Sequence, residues 1–167
     1  DILQTKILTN KSIIINSKEI KYMFVMCNIF AFQNTVYSNS NFILNTSLRG
    51  IFTGLIITPG VIYFEIKKYN NRLNTSPNYK YFIFFTLLRE ILFYSILYTL
   101  YTSNLKYSKI ISPLLSNFLV FPLKVLNVKY SYQKFNIKIY NIKYSALIEI
   151  IKSAIGNTIA LFLIYKN

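Results

Sequence analysis

Arg89 and Glu90 are the residues best placed to do chemistry in this chain. They stand side by side within YFIFFTLLREILFYSILYTLYTSNLK, residues 81 to 106, whose first two dozen positions are otherwise uncharged and mostly apolar. A helix of that length crosses the roughly 30 Å hydrocarbon layer of a bilayer. A guanidinium inside such a helix either contacts an anion or pairs with a carboxylate to hold structure. A lone charge at mid-membrane costs on the order of 2.5–3.5 kcal/mol on insertion scales, so the pair must face protein or lie near a helix end with water in reach.

Other chemistry is poorly provided for. The chain has no His, its single Cys27 sits in an apolar context, and its acids are Asp1, Glu19, Glu65, Glu90 and Glu149. No acid/base pair, activated nucleophile or metal cage can be written from that set. The glycines, Gly50, Gly54, Gly60 and Gly156, form neither a phosphate-binding loop nor a dinucleotide fingerprint. One cysteine makes no internal disulfide. An enzyme is therefore not expected, nor is a metal or organic cofactor.

The elements that carry these residues are apolar runs punctuated by cations. The sequence is 53% hydrophobic and 14% charged, with a net charge of +14 from Lys and Arg lying between the runs. Cations that flank helices at lipid headgroups are distributed in this way, whereas a nucleic-acid-binding chain gathers them in blocks or along one face. No nucleic-acid partner is expected. The composition, rich in Tyr, Ile, Asn, Lys and Phe, is also what an AT-rich coding sequence produces. The fold class is an all-α membrane protein with about four to five transmembrane helices.

Residues 1 to 21 mix short apolar runs with lysines and lack the Arg-rich, acid-free amphipathic pattern of a transit peptide. Tyr22 to Tyr37 is a short apolar run, either a buried or interfacial helix or a crossing extended by its flanks. After an Asn/Ser-rich linker, helices are expected over residues 48–69, 81–103, 109–130 and 145–166. Asn70 to Lys80 reads as a turn-rich connection, Ser103 to Ser108 as a brief loop, and Phe135 to Lys143 as a basic, aromatic, interfacial connection. Gly50 and Gly54 have the small-xxx-small spacing that lets a neighbouring helix approach closely, and Pro59 should kink its helix. Lys124 interrupts the apolar face of the segment bearing Pro122. Glu149 and Lys152 share a helical face and could pair. Lys67, Lys68, Lys134, Lys138 and Lys143 are placed to reach lipid headgroups.

The order of elements repeats. Pro59 and Pro122 each sit late in an apolar helix that ends in a basic segment, and another apolar helix follows each. The chain accordingly divides into an N-terminal segment, 1–44, holding a remnant helix of an incomplete repeat, and two helix-pair repeats, 45–107 and 108–167.

This pattern resembles the mitochondrial carrier family. Residues 86 to 101, TLLREILFYSILYTLY, are similar to the even-numbered carrier helix, commonly TLLRDVPFSAIYFPLYE, with Arg89, Phe93, Ile96, Leu100 and Tyr101 in step. Gly50, Gly54 and Pro59 resemble the odd-numbered helix, which ends in the motif P-x-D/E-x-x-K/R, and FPLKVLNVKYSYQ around Pro122 resembles it again. The resemblance covers residues 45 to 165 and implies helix pairs arranged around a central cavity, in the mitochondrial inner membrane.

It also implies gates that this chain does not spell out. The two positions that pair on the matrix side are Val61 and Phe64 in one copy and Lys124 and Asn127 in the other. At the opposite gate Tyr101 is followed by Thr102, with Leu105 beyond, and Tyr165 by Lys166, where the family has acids. Three readings follow. The first is a degenerate carrier kept as a structural accessory subunit of a respiratory-chain complex, with other membrane subunits as partners and a bound phospholipid such as cardiolipin, as in some protist respiratory complexes. The second is a divergent solute transporter in which Arg89 contacts an anionic substrate. The third is an accessory subunit without carrier ancestry.

Overall fold

The computed structural model describes residues 17–73, 76–104, 107–132, 137 and 139–152. Every regular element among them is an α-helix: α1 (Ser17–Asn39), α2 (Thr46–Leu73), α3 (Tyr79–Tyr101), α4 (Ser108–Ser131) and α5 (Ile139–Lys152). Thr46–Lys67, Tyr79–Tyr101 and Ile110–Ser131 are long and apolar enough to cross a membrane. At 1.5 Å per residue each spans about 33 Å. Lipid offers no hydrogen bonds to open backbone, so such segments form helices that satisfy themselves.

Local chemistry sets the helix ends. Asn45 caps α2, its side-chain oxygen accepting the backbone N–H of Ser47 at 2.9 Å and of Leu48 at 3.1 Å. Before α3, Asn78 donates its backbone N–H to the Ser131 carbonyl at 2.8 Å, tying the start of α3 to the end of α4. Tyr107, with φ of 65°, turns the chain into α4, and its carbonyl accepts the N–H groups of Ile110 and Ile111.

Consecutive helices pack antiparallel, α1 on α2, α2 on α3, α3 on α4 and α4 on α5. The closest approach is between α2 and α3. A Cβ on Gly50 would lie 2.5 Å from the Tyr94 carbonyl oxygen, and one on Gly54 would lie 3.0 Å from that of Glu90. The small-xxx-small spacing is thus a backbone-to-backbone seam. Tyr94, with no exposed surface, packs beside it with Ile57, Val61, Leu97 and Tyr98.

The helices extend beyond several expected limits. Helix α2 runs to Leu73, four residues into the stretch read as a turn-rich connection. Helix α5 starts at Ile139, so Lys143 belongs to a helix and not to an interfacial connection. The reason lies in its inward face: Asn141, Ser145 and Glu149 recur every fourth residue and are all buried. The run from Tyr22 to Tyr37 lies within the longer α1. Of the span expected over 145–166, residues beyond Lys152 lie outside those described, as do residues 1–16.

Polarity is inverted relative to a water-soluble bundle. Buried positions include Thr53, Thr58, Thr86, Ser112, Ser116 and Asn127, while Leu55, Ile83, Phe84, Phe118, Leu119 and Leu147 are exposed. Hydrocarbon can cover the second set at little cost, and the first set needs partners inside.

Candidate functional site

Three helices bring their ionisable side chains together across the bundle, and a fourth joins through α4. Arg89 on α3 donates from Nη2 to Glu65 Oε1 of α2 at 3.1 Å, and from Nη2 and Nε to Glu90 Oε1 at 2.6 and 2.9 Å. The three side chains are 11%, 4% and 9% exposed, so the pairing is internal to the bundle. On the other side, Lys124 Nζ of α4 donates to Glu149 Oε2 of α5 at 3.2 Å. Both of those side chains are buried as well.

A neutral link joins the two ionic groups. Asn127 Nδ2 donates to Thr86 Oγ1 at 2.9 Å, and Ser131 Oγ donates to Asn127 Oδ1 at 2.7 Å. Thr86 lies one helical turn from Glu90, and Asn127 lies three residues from Lys124, so the neutral and charged groups form one polar layer from α2 to α5. Small hydroxyls in the helices bond back to their own backbone instead: Thr58 to the Gly54 carbonyl at 2.6 Å and Ser116 to that of Ser112 at 2.6 Å.

A second polar cluster fixes α1. The Tyr37 and Tyr98 rings stack with centroids 3.5 Å apart, and the Arg49 guanidinium lies 4.0 Å from the Tyr37 ring centre. Arg49 Nε donates to the Tyr37 carbonyl at 2.6 Å, while Tyr94 Oη donates to Gln33 Oε1 at 2.6 Å. Ser47 and Ser95 hydroxyls meet at 2.7 Å across the α2–α3 seam.

The residues singled out in the sequence fall into distinct places. Gly50 and Gly54 line the close seam, and Arg89 lies at the centre of the ionic group. Pro59 is the fourteenth residue of α2 and Pro122 the fifteenth of α4; both are exposed, and both helices continue past them. Tyr101 is the last residue of α3. Of the gate positions, Val61 is in the apolar core, Phe64 is half-buried, and Thr102 donates its hydroxyl to the Tyr98 carbonyl at 2.9 Å. Lys124 and Asn127 carry the α4 polar contacts. Among the lysines assigned to headgroups, Lys67 and Lys143 are exposed, with Lys67 lying 4.5 Å from the Tyr63 ring centre. The side chain of Lys68 lies outside what is described, as do Lys134 and Lys138.

Sequence reasoning missed the two cross-helix ion pairs, having matched Glu149 with Lys152 and Arg89 with Glu90. A signal was present. Lys124, Asn127 and Ser131 on one segment, and Asn141, Ser145 and Glu149 on the next, recur at three- and four-residue intervals, which marks facing polar stripes.

Fold and site together define an all-helical membrane protein with an internal ionic layer. Comparison with family models, curated proteins and solved structures finds no match for the chain.

Proposed function

We propose that the chain is a carrier-like protein serving as a structural accessory membrane subunit of a mitochondrial inner-membrane complex of the respiratory chain. One observation carries this reading: Arg89, the cation that a transporter would offer to an anionic solute, is engaged by both Glu65 and Glu90 inside the bundle. Its charge holds α2 to α3. Lys124, a second buried cation among the described residues, is engaged by Glu149. The near-equal placing of Pro59 and Pro122 in α2 and α4 supports a repeated helix pair and hence the likeness to carriers. Exposed aliphatic and aromatic faces suit both lipid and the apolar surfaces of neighbouring membrane subunits.

A divergent solute transporter is the second reading. It is favoured by the polar layer itself, since ionisable residues within spans often line solute paths. Two measurements separate the readings. Native electrophoresis of mitochondrial membranes should find the tagged chain migrating with a large assembly, and the purified intact chain in liposomes should exchange no nucleotide, phosphate or carboxylate. Saturable uptake of any such solute by the intact chain would overturn the structural reading.

A further inference from the structure

The two ends of the bundle differ in charge. Because the helices alternate in direction, the C-terminal ends of α2 and α4 lie at the same end as the N-terminal ends of α3 and α5. That end exposes Lys67, Lys80, Lys129 and Lys143, one from each helix. Tyr63, Tyr79, Tyr81, Tyr130 and Tyr144 are exposed among them. Lys67 lies over Tyr63, Lys129 Nζ lies 5.7 Å from the Tyr130 ring centre, and Tyr130 stacks on Phe85 at 5.7 Å. In sequence, the connection from α4 to α5 adds Lys134 and Lys138, and the end of α2 adds Lys68 and Arg72.

Among the described residues the opposite end is poor in exposed cations. Arg49 is there, with its guanidinium bonded to the Tyr37 and Ser38 carbonyls, and the connection into α4 and its first turn contribute Lys106 and Lys109 in sequence. What it exposes is largely uncharged, with Asn41, Asn45, Thr102 and Asn104 beside Phe42, Leu44, Leu48 and Ile110. Cations within short connections fix the side of the membrane on which those connections stay, and tyrosines prefer the headgroup layer. Lysines beside a bilayer are drawn to anionic phospholipid.

We propose that the lysine–tyrosine end is seated among anionic phospholipid headgroups on the electrically negative side from which the helices are inserted, giving the chain one fixed orientation. This holds for a subunit or a transporter alike, because it rests only on the spans and their flanks. The lysines are the address, and the tyrosines set the depth.

The test uses the full chain, with Cys27→Ser, in the inner membrane of a bacterium. Ser76→Cys reports the lysine–tyrosine end and Asn104→Cys the other; both positions are exposed. After the outer membrane is permeabilised, a membrane-impermeant maleimide should label Asn104→Cys, and should reach Ser76→Cys only once the inner membrane is broken. Equal labelling, or the reverse order, overturns the proposal. In vesicles mixing phosphatidylcholine with phosphatidylglycerol, lipid co-extracted with the native chain should be enriched in phosphatidylglycerol. Changing Lys67, Lys80, Lys129 and Lys143 together to Gln should lower that enrichment and weaken the one-sided labelling, Lys68, Arg72, Lys134 and Lys138 being left in place. Absence of enrichment in the native chain overturns the anionic surface, and the native-lysine reporters decide the orientation whether or not the four-glutamine variant folds.

Discussion

Replacing Arg89 by Met tests whether the ionic layer holds the bundle together. The substitution keeps the unbranched stem and the helix propensity while removing the only charge on the side chain. It leaves Glu65 and Glu90, at 4% and 9% side-chain exposure, without the guanidinium that lies 3.1 and 2.6 Å from them. Breaking a buried pair by removing one partner costs about 3–5 kcal/mol, because the charge left behind is poorly hydrated and loses the cation it bonds. At about 1.4 kcal/mol per tenfold, that is roughly two to three and a half orders of magnitude in the unfolding equilibrium. The assay is reversible unfolding in mixed micelles, followed by helical circular dichroism and by trapping of the separated helices. The second arm changes Glu65→Gln, Arg89→Met and Glu90→Gln together, which removes the charge imbalance and should recover most of the loss, since neutral replacement of a buried ionic group is often harmless. If Arg89→Met alone were as stable as the native chain, the guanidinium would be solvated and free, and the structural assignment of this layer would fail.

Three further outcomes follow from the geometry. Gly50→Ala should destabilise by about 1–3 kcal/mol, because its Cβ would meet the α3 backbone at 2.5 Å, and Gly54→Ala should cost less at 3.0 Å. Gly60→Ala is the control, its nearest neighbour being the Ile29 side chain at 3.8 Å, and should be neutral or slightly stabilising in the same unfolding assay. Asn127→Ala should cost about 1–3 kcal/mol, since it strips partners from Thr86 and Ser131, and hydrogen exchange should quicken at the ends of α3 and α4. Asn45→Ala should cost about 1 kcal/mol by uncapping α2, with exchange rising first at Ser47 and Leu48.

The spans were legible because a bilayer makes a crude demand: some twenty apolar residues, helical, with polar breaks between them. Hence α3 was placed to within two residues at either end, from the run between Tyr81 and Ser103. Gly50 and Gly54 were legible as a seam because only a missing side chain permits such approach. The start of α5 was not, because Ile139 to Lys143 looks interfacial in composition. Its place is decided by Asn141, buried against protein that the residue's own neighbours do not reveal. The facing polar stripes of α4 and α5 were legible in their spacing, but the pairing of individual charges was not. Glu65 is twenty-four residues from Arg89, and Glu149 is twenty-five from Lys124. Which acid meets which base depends on helix rotation, and local spacing does not encode that.

The distribution of the pairs bears on how such a bundle could move. Glu65 with Arg89 joins α2 to α3, and Lys124 with Glu149 joins α4 to α5, so each of these two ion pairs closes a hairpin of consecutive helices. Between the hairpins, where α3 meets α4, Asn127 bonds Thr86 at 2.9 Å, and Lys124 is within electrostatic reach of Arg89 and Glu65. Alternating access needs two closed states of balanced stability, with contacts that form in one state and break in the other. Rocking of one hairpin against the other would carry these two ion pairs along intact. Contacts of that kind add equally to both states, and a contact that does not distinguish two states cannot drive a change between them. The two pairs thus stiffen each hairpin in either state.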